Sequence, residues 1–312
     1  MSYELGVNIG ALVAIDTHVH IEIDDDGLNS LPETLTNAAS KYFKAGHERP
    51  SLDAIADLYR ERKMAAVVFT VEAGTALKHS GISSEFVAAG AARNNDVLIP
   101  FGSVDPLTGA AAVTRARMLV ADHGVRGFKF HPTVQNFDPS SQEFWPLWAA
   151  LDELGFPIIF HTGQTGIGAG LPGGFGMRLR LSNPMLIDDV AAAFPALQIV
   201  LAHPSVPWME EGLAVATHKA NVWIDLSGWS PKYFAPALVR QANSILQDKM
   251  LFGSDYPLLT PDRWLKDFAA LDMKDEVRPK ILKENAVRLL GLGSAASTAT
   301  PATATSATAH PA

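Results

Sequence analysis

The sequence contains no cysteine. This absence excludes disulfide bonds, thiolate metal ligands and a cysteine nucleophile. It is compatible with a cytoplasmic location, which we predict. Several catalytic motifs are also missing: G-x-S-x-G of serine hydrolases, H-E-x-x-H of zinc proteases and the P-loop of nucleotide-binding proteins. These chemistries are therefore excluded for this chain.

Basic residues are outnumbered, with 25 Lys and Arg against 33 Asp and Glu, which gives a formal net charge of −8. This balance argues against nucleic acid or an anionic membrane surface as a partner. The sequence has no run of eighteen apolar residues and no basic segment at its start, so we predict neither a membrane span nor a signal peptide. The expected partner is a small-molecule substrate.

Hydrophobic residues make up 47% of the 312 residues, which is enough for one large core. We predict three segments: an N-terminal lead-in over residues 1–13, one catalytic domain over 14–292, and a tail over 293–312. The tail contains no Asp, Glu, Lys or Arg and consists mostly of Ala, Thr and Ser. Its composition predicts disorder.

Eight short apolar runs alternate with segments of helical periodicity. The predicted strands cover residues 14–20, 65–71, 97–104, 125–131, 156–163, 197–205, 222–228 and 250–257. Continuous apolar runs separated by amphipathic helices are typical of a parallel sheet that is covered on both sides. The pattern predicts an α/β fold, a (β/α)₈ TIM barrel, with a distorted seven-stranded barrel as the alternative. Residues 24–50 and 163–185 form long insertions after strands 1 and 5, and the first is a candidate lid.

Four histidines and one aspartate occupy the ends of four of these runs. His18 and His20 end the first, His161 the fifth, His203 the sixth, and Asp255 the eighth. A parallel barrel brings the carboxyl ends of its strands to one face, so these side chains should converge. Imidazole and carboxylate groups gathered there predict a site for a divalent metal ion.

The phrases IDTHVH, FHTG, LAHPS and LFGSDYP resemble the amidohydrolase superfamily. The similarity is greatest to the branch that contains aminocarboxymuconate semialdehyde decarboxylase and related metal-dependent hydrolases and decarboxylases. The resemblance extends from Ala14 to Leu292. It implies that His18, His20, His161 and Asp255 bind one divalent ion, usually zinc, with manganese as an alternative. It also implies that His203 acts as an acid, a base or an oxyanion partner if the site holds one metal ion, or as a ligand if it holds two. The resemblance further implies that the protein forms a homodimer or homotetramer.

Five further residues are candidates for the site. Lys129 and His131 share a face of the fourth strand, where they could contact a second metal or the substrate; a buried, ion-paired lysine is the alternative. Arg178 and Arg180 lie in the glycine-rich loop, where they could bind a substrate carboxylate or remain solvated. Trp229 could form a wall for an aromatic substrate or simply pack in the core.

Three functions are compatible with these residues. The leading one is hydrolysis, in which metal-activated water attacks a carbonyl of a small carboxylated or aromatic compound, with Asp255 and His203 as catalytic groups. The substrate would be an ester, a lactone, a thioester or a β-keto compound. The second is non-oxidative decarboxylation of an aromatic or unsaturated acid in the same pocket. The third, from another class, is a non-catalytic barrel that binds metal only for stability.

Overall fold

A computed structural model describes residues 2–43 and 49–293 of the chain, and all eight predicted strands are present in it. They are β1 (Ala14–His20), β2 (Met64–Phe69), β3 (Leu98–Pro100), β4 (Phe128–Phe130), β5 (Ile158–His161), β6 (Ile199–Ala202), β7 (Val222–Asp225) and β8 (Met250–Leu251). Every neighbouring pair is parallel, and the strands follow chain order in two sheets, β1-β2-β3 and β4-β5-β6-β7-β8.

Two seams join these sheets into a closed barrel. At the first, the Lys129 amide donates to the Gly102 carbonyl at 2.8 Å, and Gly102 bridges Phe128. At the second, the Asp255 amide donates to the His18 carbonyl at 3.0 Å. The predicted (β/α)₈ barrel is therefore confirmed, and the seven-stranded alternative is not needed.

Helices connect the strands and surround the barrel. They are α1 (Glu33–Phe43), α2 (Leu52–Glu61), α3 (Gly74–Leu77), α4 (Ser84–Arg93), α5 (Ala110–His123), α6 (Pro132–Gln135), α7 (Trp145–Leu154), α8 (Met185–Ala193), α9 (Met209–His218), α10 (Pro236–Ala242), α11 (Pro261–Ala269) and α12 (Asn285–Leu289). A π-helical turn, Lys280–Glu284, precedes α12. Within the described ranges 2–43 and 49–293, no helix has the length and hydrophobicity to cross a membrane.

The apolar residues form two packed groups, one on each side of the strands. The larger lies between strands and helices and includes Tyr59, Phe160 and Trp264. The smaller includes Ile15 and Val67 from the barrel interior, together with Leu12 of the lead-in and Ala286 of α12. This second group fills the barrel beneath the strand ends, so the polar residues above it rest on a solid apolar base.

The strand boundaries differ from the sequence prediction most at β8, which has two residues instead of the eight predicted. Asp255 has a φ of 72°, and Pro257 lacks a backbone N–H, so neither can continue a regular ladder. The loop after β8 forms an isolated parallel bridge with β1, between Tyr256 and Val19. Of the predicted tail, only Gly293 is among the described residues; residues 294–312 lie outside them.

Ser51 caps the N-terminus of α2, because its hydroxyl accepts a hydrogen bond from the Ala54 amide at 3.2 Å. We expect Ser51→Ala to lower the free energy of unfolding by about 1 kcal/mol, because one amide of the first turn loses its acceptor. Ser51→Asp keeps an acceptor oxygen and should change stability much less. Urea unfolding followed by circular dichroism measures both, and equal losses would contradict the assignment of the cap.

Candidate metal centre

Three donor groups converge where β1 meets the loop after β8. The Asp255 Oδ1 atom lies 3.2 Å from His20 Nε2 and 3.3 Å from His18 Nε2, and the two imidazole nitrogens are 3.2 Å apart. The three donor atoms lie within 4.8 Å of one another. His18 and Asp255 are buried, and His20 is half-buried. His18 and His20 therefore project from the same face of β1, as the two-residue period of a strand requires.

Two more predicted histidines lie beside this cluster at the ends of β5 and β6. His161 Nδ1 lies 3.1 Å from His203 Nε2, and the His161 ring stacks on His131 with the centroids 3.7 Å apart. The tight donor cluster does not include His161. However, His161 Nε2 is buried and has no hydrogen-bond partner among the residues that the structure describes. A buried polar atom of this kind needs a partner, and a metal ion would provide one.

The protonation states of these groups suit a divalent ion. Burial, together with the positive charge of Lys129, lowers the pKa of His18 well below its usual range. Burial and the neighbouring His131 and His203 do the same to the pKa of His161. Burial alone would raise the pKa of Asp255, but its hydrogen bond with His20 and the surrounding histidine charges lower it instead. Neutral imidazoles and an ionised carboxylate are the forms that bind metal.

The backbone at these positions is constrained. His203 and Asp255 both have left-handed φ angles, 73° and 72°, and non-glycine residues hold this conformation only where the surroundings enforce it. Two glycines leave room for the site. A Cβ at Gly228 would lie 2.5 Å from His203 Nδ1, and one at Gly253 would overlap Asp225 Oδ1. Larger residues at either position would displace the polar groups.

Asp225 is a site residue that the sequence analysis missed. It lies at the end of β7, is fully buried, and its Oδ2 atom is 2.5 Å from His18 Nδ1. The Ser227 hydroxyl donates to the same oxygen at 3.0 Å, and the Ser227 amide donates to Oδ1 at 2.9 Å. The sequence did carry a signal, because an acid within the apolar run VWID requires a buried partner.

Asp16 joins β1, which carries His18, to the loop after β8, which carries Asp255. Its Oδ1 atom accepts hydrogen bonds from the His18 amide at 3.0 Å and the Ser254 amide at 2.9 Å. Its Oδ2 atom accepts one from the Tyr59 hydroxyl at 2.6 Å. One buried carboxylate thereby fixes the backbone that precedes Asp255 against the backbone of His18, which sets the separation of these two side chains.

Lys129 reaches the donor cluster from β4. It is fully buried, with Nζ 3.0 Å from His18 Nε2 and 5.0 Å from the centre of the Phe69 ring. Burial lowers its pKa to about 8, against the opposing charges of Asp255 and Asp225. His131 is also buried and faces the cavity. Roles for Lys129 and His131 at a second metal or at the substrate remain predictions.

A cavity of about 230 Å³ opens directly above the cluster. His20, His131, His161, His203 and Asp255 form its polar end. Its other walls are largely apolar and include Ile21, Leu31, Val71, Val134, Ile167 and Trp229. Part of the long insertion after β1 covers it, since Leu31, Ala39 and Tyr42 also line the cavity. The insertion after β1 therefore lies over the cavity, in the position expected of the candidate lid. Residues 44–48 of this insertion lie outside the described ranges.

The three predicted substrate contacts have different outcomes. Trp229 lines the cavity, and its contact with an aromatic substrate stays a prediction. Arg178 and Arg180 are exposed and do not line it. Arg180 lies in a 3-10 helix, Leu179–Ser182, and Arg178 immediately precedes that helix. Instead, an earlier part of the same loop, residues 164–167, contacts the cavity. The structure therefore does not bring the predicted arginine clamp to the site.

Comparison with solved structures shows that other TIM-barrel proteins share this fold. An uncharacterised TIM-barrel protein from Bordetella bronchiseptica is 25% identical, with a TM-score of 0.72 over 89% of this chain and 98% of that one. A 2,6-dihydroxybenzoate decarboxylase in complex with 2,6-dihydroxybenzoate is 17% identical, with a TM-score of 0.68 over 90% and 99%. A dihydroxybenzoic acid decarboxylase from Polaromonas sp. JS666, with bound manganese and 2-nitroresorcinol, is 18% identical, with a TM-score of 0.65 over 91% and 98%.

The family comparison covers almost all of the described chain. No curated protein gives a significant match. Residues 15–292, however, match the family model described as amidohydrolase, which spans the whole barrel and every donor residue of the cluster. The match agrees with the resemblance carried by IDTHVH, FHTG, LAHPS and LFGSDYP. The chain therefore belongs to the amidohydrolase family.

Proposed function

We propose that this protein catalyses the non-oxidative decarboxylation of a hydroxylated, single-ring aromatic carboxylic acid. The observation that carries the proposal is the cavity: about 230 Å³, with mostly apolar walls and a polar end at the donor cluster. An apolar cavity of roughly 150 Å³ is enough to bind benzene, so this one suits a ring with a carboxylate and one or two further groups. Trp229 and Ile167 supply surface for the ring faces.

The residues that would hold a divalent ion are His18, His20, Asp255 and, through its unpaired Nε2, His161. When bound, such an ion supplies Lewis-acid polarisation of the substrate oxygens and fixes the substrate in position. Zinc, the first prediction from the sequence, and manganese both accept imidazole and carboxylate ligands. Manganese gains support from its presence in the structurally similar Polaromonas enzyme.

The chain's own residues account for the proton and for the exclusion of water. Decarboxylation transfers one proton to the ring carbon, returns the C–C bonding pair to that carbon as carbon dioxide leaves, and is helped by a hydroxyl group on the ring. Asp255 and His203 both face the cavity and can carry that proton. The apolar walls favour the reaction further, because a carboxylate is poorly solvated there and carbon dioxide is uncharged.

The named reactions of similar structures support decarboxylation over hydrolysis. Both named enzymes described above are decarboxylases of dihydroxybenzoic acids. At 17% and 18% identity this likeness concerns the fold, so the cavity and its donor cluster carry the proposal. Hydrolysis of an ester, lactone or thioester remains a prediction from the sequence and is the alternative outcome of the test below.

The test is a carbon dioxide assay with a panel of carboxyl-¹³C-labelled benzoic acids. The panel contains 2,6-dihydroxybenzoate, other mono- and dihydroxybenzoates, and benzoate as the matched control that lacks a hydroxyl group. We expect the protein loaded with manganese or zinc to release labelled carbon dioxide from a hydroxylated acid and not from benzoate, and chelation to abolish the release. Hydrolysis of esters, lactones or thioesters without any carbon dioxide release would replace the proposal. Inactivity on both panels would favour the non-catalytic barrel.

A further inference from the structure

We propose that Asp225 and Ser227 form a hydrogen-bond relay that fixes the tautomers of His18, His203 and His161, so that two of their Nε2 lone pairs face the metal site. Asp225 and Ser227 are positioning residues in this arrangement, since they act through the histidines. The proposal concerns the metal centre and holds whichever reaction the protein catalyses. It rests on five contacts among buried groups and on one unpaired nitrogen.

The relay begins at the Asp225 carboxylate, which can only accept hydrogen bonds while it is ionised. Its Oδ2 atom lies 2.5 Å from His18 Nδ1, so this nitrogen must carry the proton. Neutral His18 therefore keeps its lone pair on Nε2. A second contact leads independently to the same tautomer, because Lys129 Nζ lies 3.0 Å from His18 Nε2 and an ammonium group can only donate.

The relay continues through Ser227, whose hydroxyl has a single proton. That proton goes to Asp225 Oδ2, at 3.0 Å. The Ser227 hydroxyl oxygen also lies 2.9 Å from His203 Nδ1, and with its proton already donated it can only accept a hydrogen bond there. His203 therefore also carries its proton on Nδ1. The buried ring stays neutral, which leaves the lone pair of His203 on Nε2.

The last step reaches the predicted fourth ligand. His203 Nε2, which carries a lone pair, lies 3.1 Å from His161 Nδ1. His161 Nδ1 must therefore carry a proton and donate it to His203 Nε2, and neutral His161 keeps its lone pair on Nε2. This Nε2 is the buried atom that has no partner within residues 2–43 and 49–293. The relay thus ends on an unpaired lone pair, which is what a metal ion requires.

Nitrogen NMR of the metal-free protein, labelled with ¹⁵N at its histidines, tests the relay directly. Ring-nitrogen shifts distinguish a protonated nitrogen from one with a lone pair, and single His→Gln variants assign the signals. At a pH where the rings are neutral, we expect His18, His203 and His161 all to carry the proton on Nδ1. Protonation of His203 or His161 on Nε2 in the unmodified protein would overturn the proposal without any further variant.

Two variants separate the steps of the relay. Ser227→Ala should leave His18 in its single tautomer, while His203 and His161 become mixtures. Asp225→Asn should disturb the tautomers of both His18 and His203. Ser230→Ala is the matched control, since this serine is also buried in the loop after β7 but donates to Asp267. Unchanged tautomers in Ser227→Ala, or the same changes in the Ser230→Ala control, would contradict the relay.

Discussion

Replacement of Asp255 by asparagine is expected to lower turnover by roughly 10²–10⁴-fold, the range for losing a general acid or base. The same change removes a carboxylate that lies 3.2 Å from His20 Nε2 and 3.3 Å from His18 Nε2, so bound metal should also decrease. Asparagine is the appropriate replacement because it tolerates the left-handed backbone, with φ of 72°, better than alanine does. The fold should therefore remain intact.

Two measurements check this expectation: decarboxylation of the substrate that the acid panel identifies, and metal content by plasma mass spectrometry. Asp262→Asn is the control, since Asp262 is an exposed acid on the outer helix α11. Its carboxylate forms an ion pair with Arg62. This variant should keep full activity and metal. His161→Ala tests the other side of the site, and full turnover in both His161→Ala and Asp255→Asn would eliminate a mechanism based on these ligands.

The fold was predictable because its signals are local. Each strand is a short apolar run, each is separated from the next by a helical segment, and a parallel barrel needs no further information to set the strand order. The length of β8 could not be predicted in this way. Its end depends on the backbone of Asp255, which is held in place by the amide contact with the His18 carbonyl, more than 230 residues away in the sequence.

The site was predictable only in part, for a related reason. His18, His20 and Asp255 lie at strand ends, where a barrel gathers side chains whatever their neighbours are. Asp225 also ends a strand, but its importance comes from one contact with His18 across the barrel. The directions of Arg178 and Arg180 depend on loop geometry, which their residue types do not determine. The sequence therefore predicted the site residues that the strand order brings together. It did not predict the roles or directions of residues that depend on one particular contact or on the shape of a loop.

Asp225→Asn is expected to weaken metal binding by roughly 10- to 100-fold, the usual cost of removing a carboxylate that supports a ligating histidine. The ionised carboxylate holds the proton of His18 on Nδ1 and makes Nε2 a stronger donor, and a neutral amide does neither as well. The affinity is measured by titrating metal-free protein with Mn²⁺ after the chelator has been removed. Electron paramagnetic resonance reports the concentration of unbound Mn²⁺, and the measurement needs no substrate.

Asp16→Asn separates this specific contact from a general loss of negative charge. Asp16 lies on β1 and is also fully buried. Its carboxylate contacts the His18 backbone amide, the Ser254 amide and the Tyr59 hydroxyl, and not the imidazole ring. An asparagine oxygen can still accept both amide bonds, so the positions of His18 and Asp255 should be kept. If Asp16→Asn weakened Mn²⁺ binding as much as Asp225→Asn does, buried charge alone would explain the effect. A loss confined to Asp225→Asn requires the hydrogen bond to His18 Nδ1.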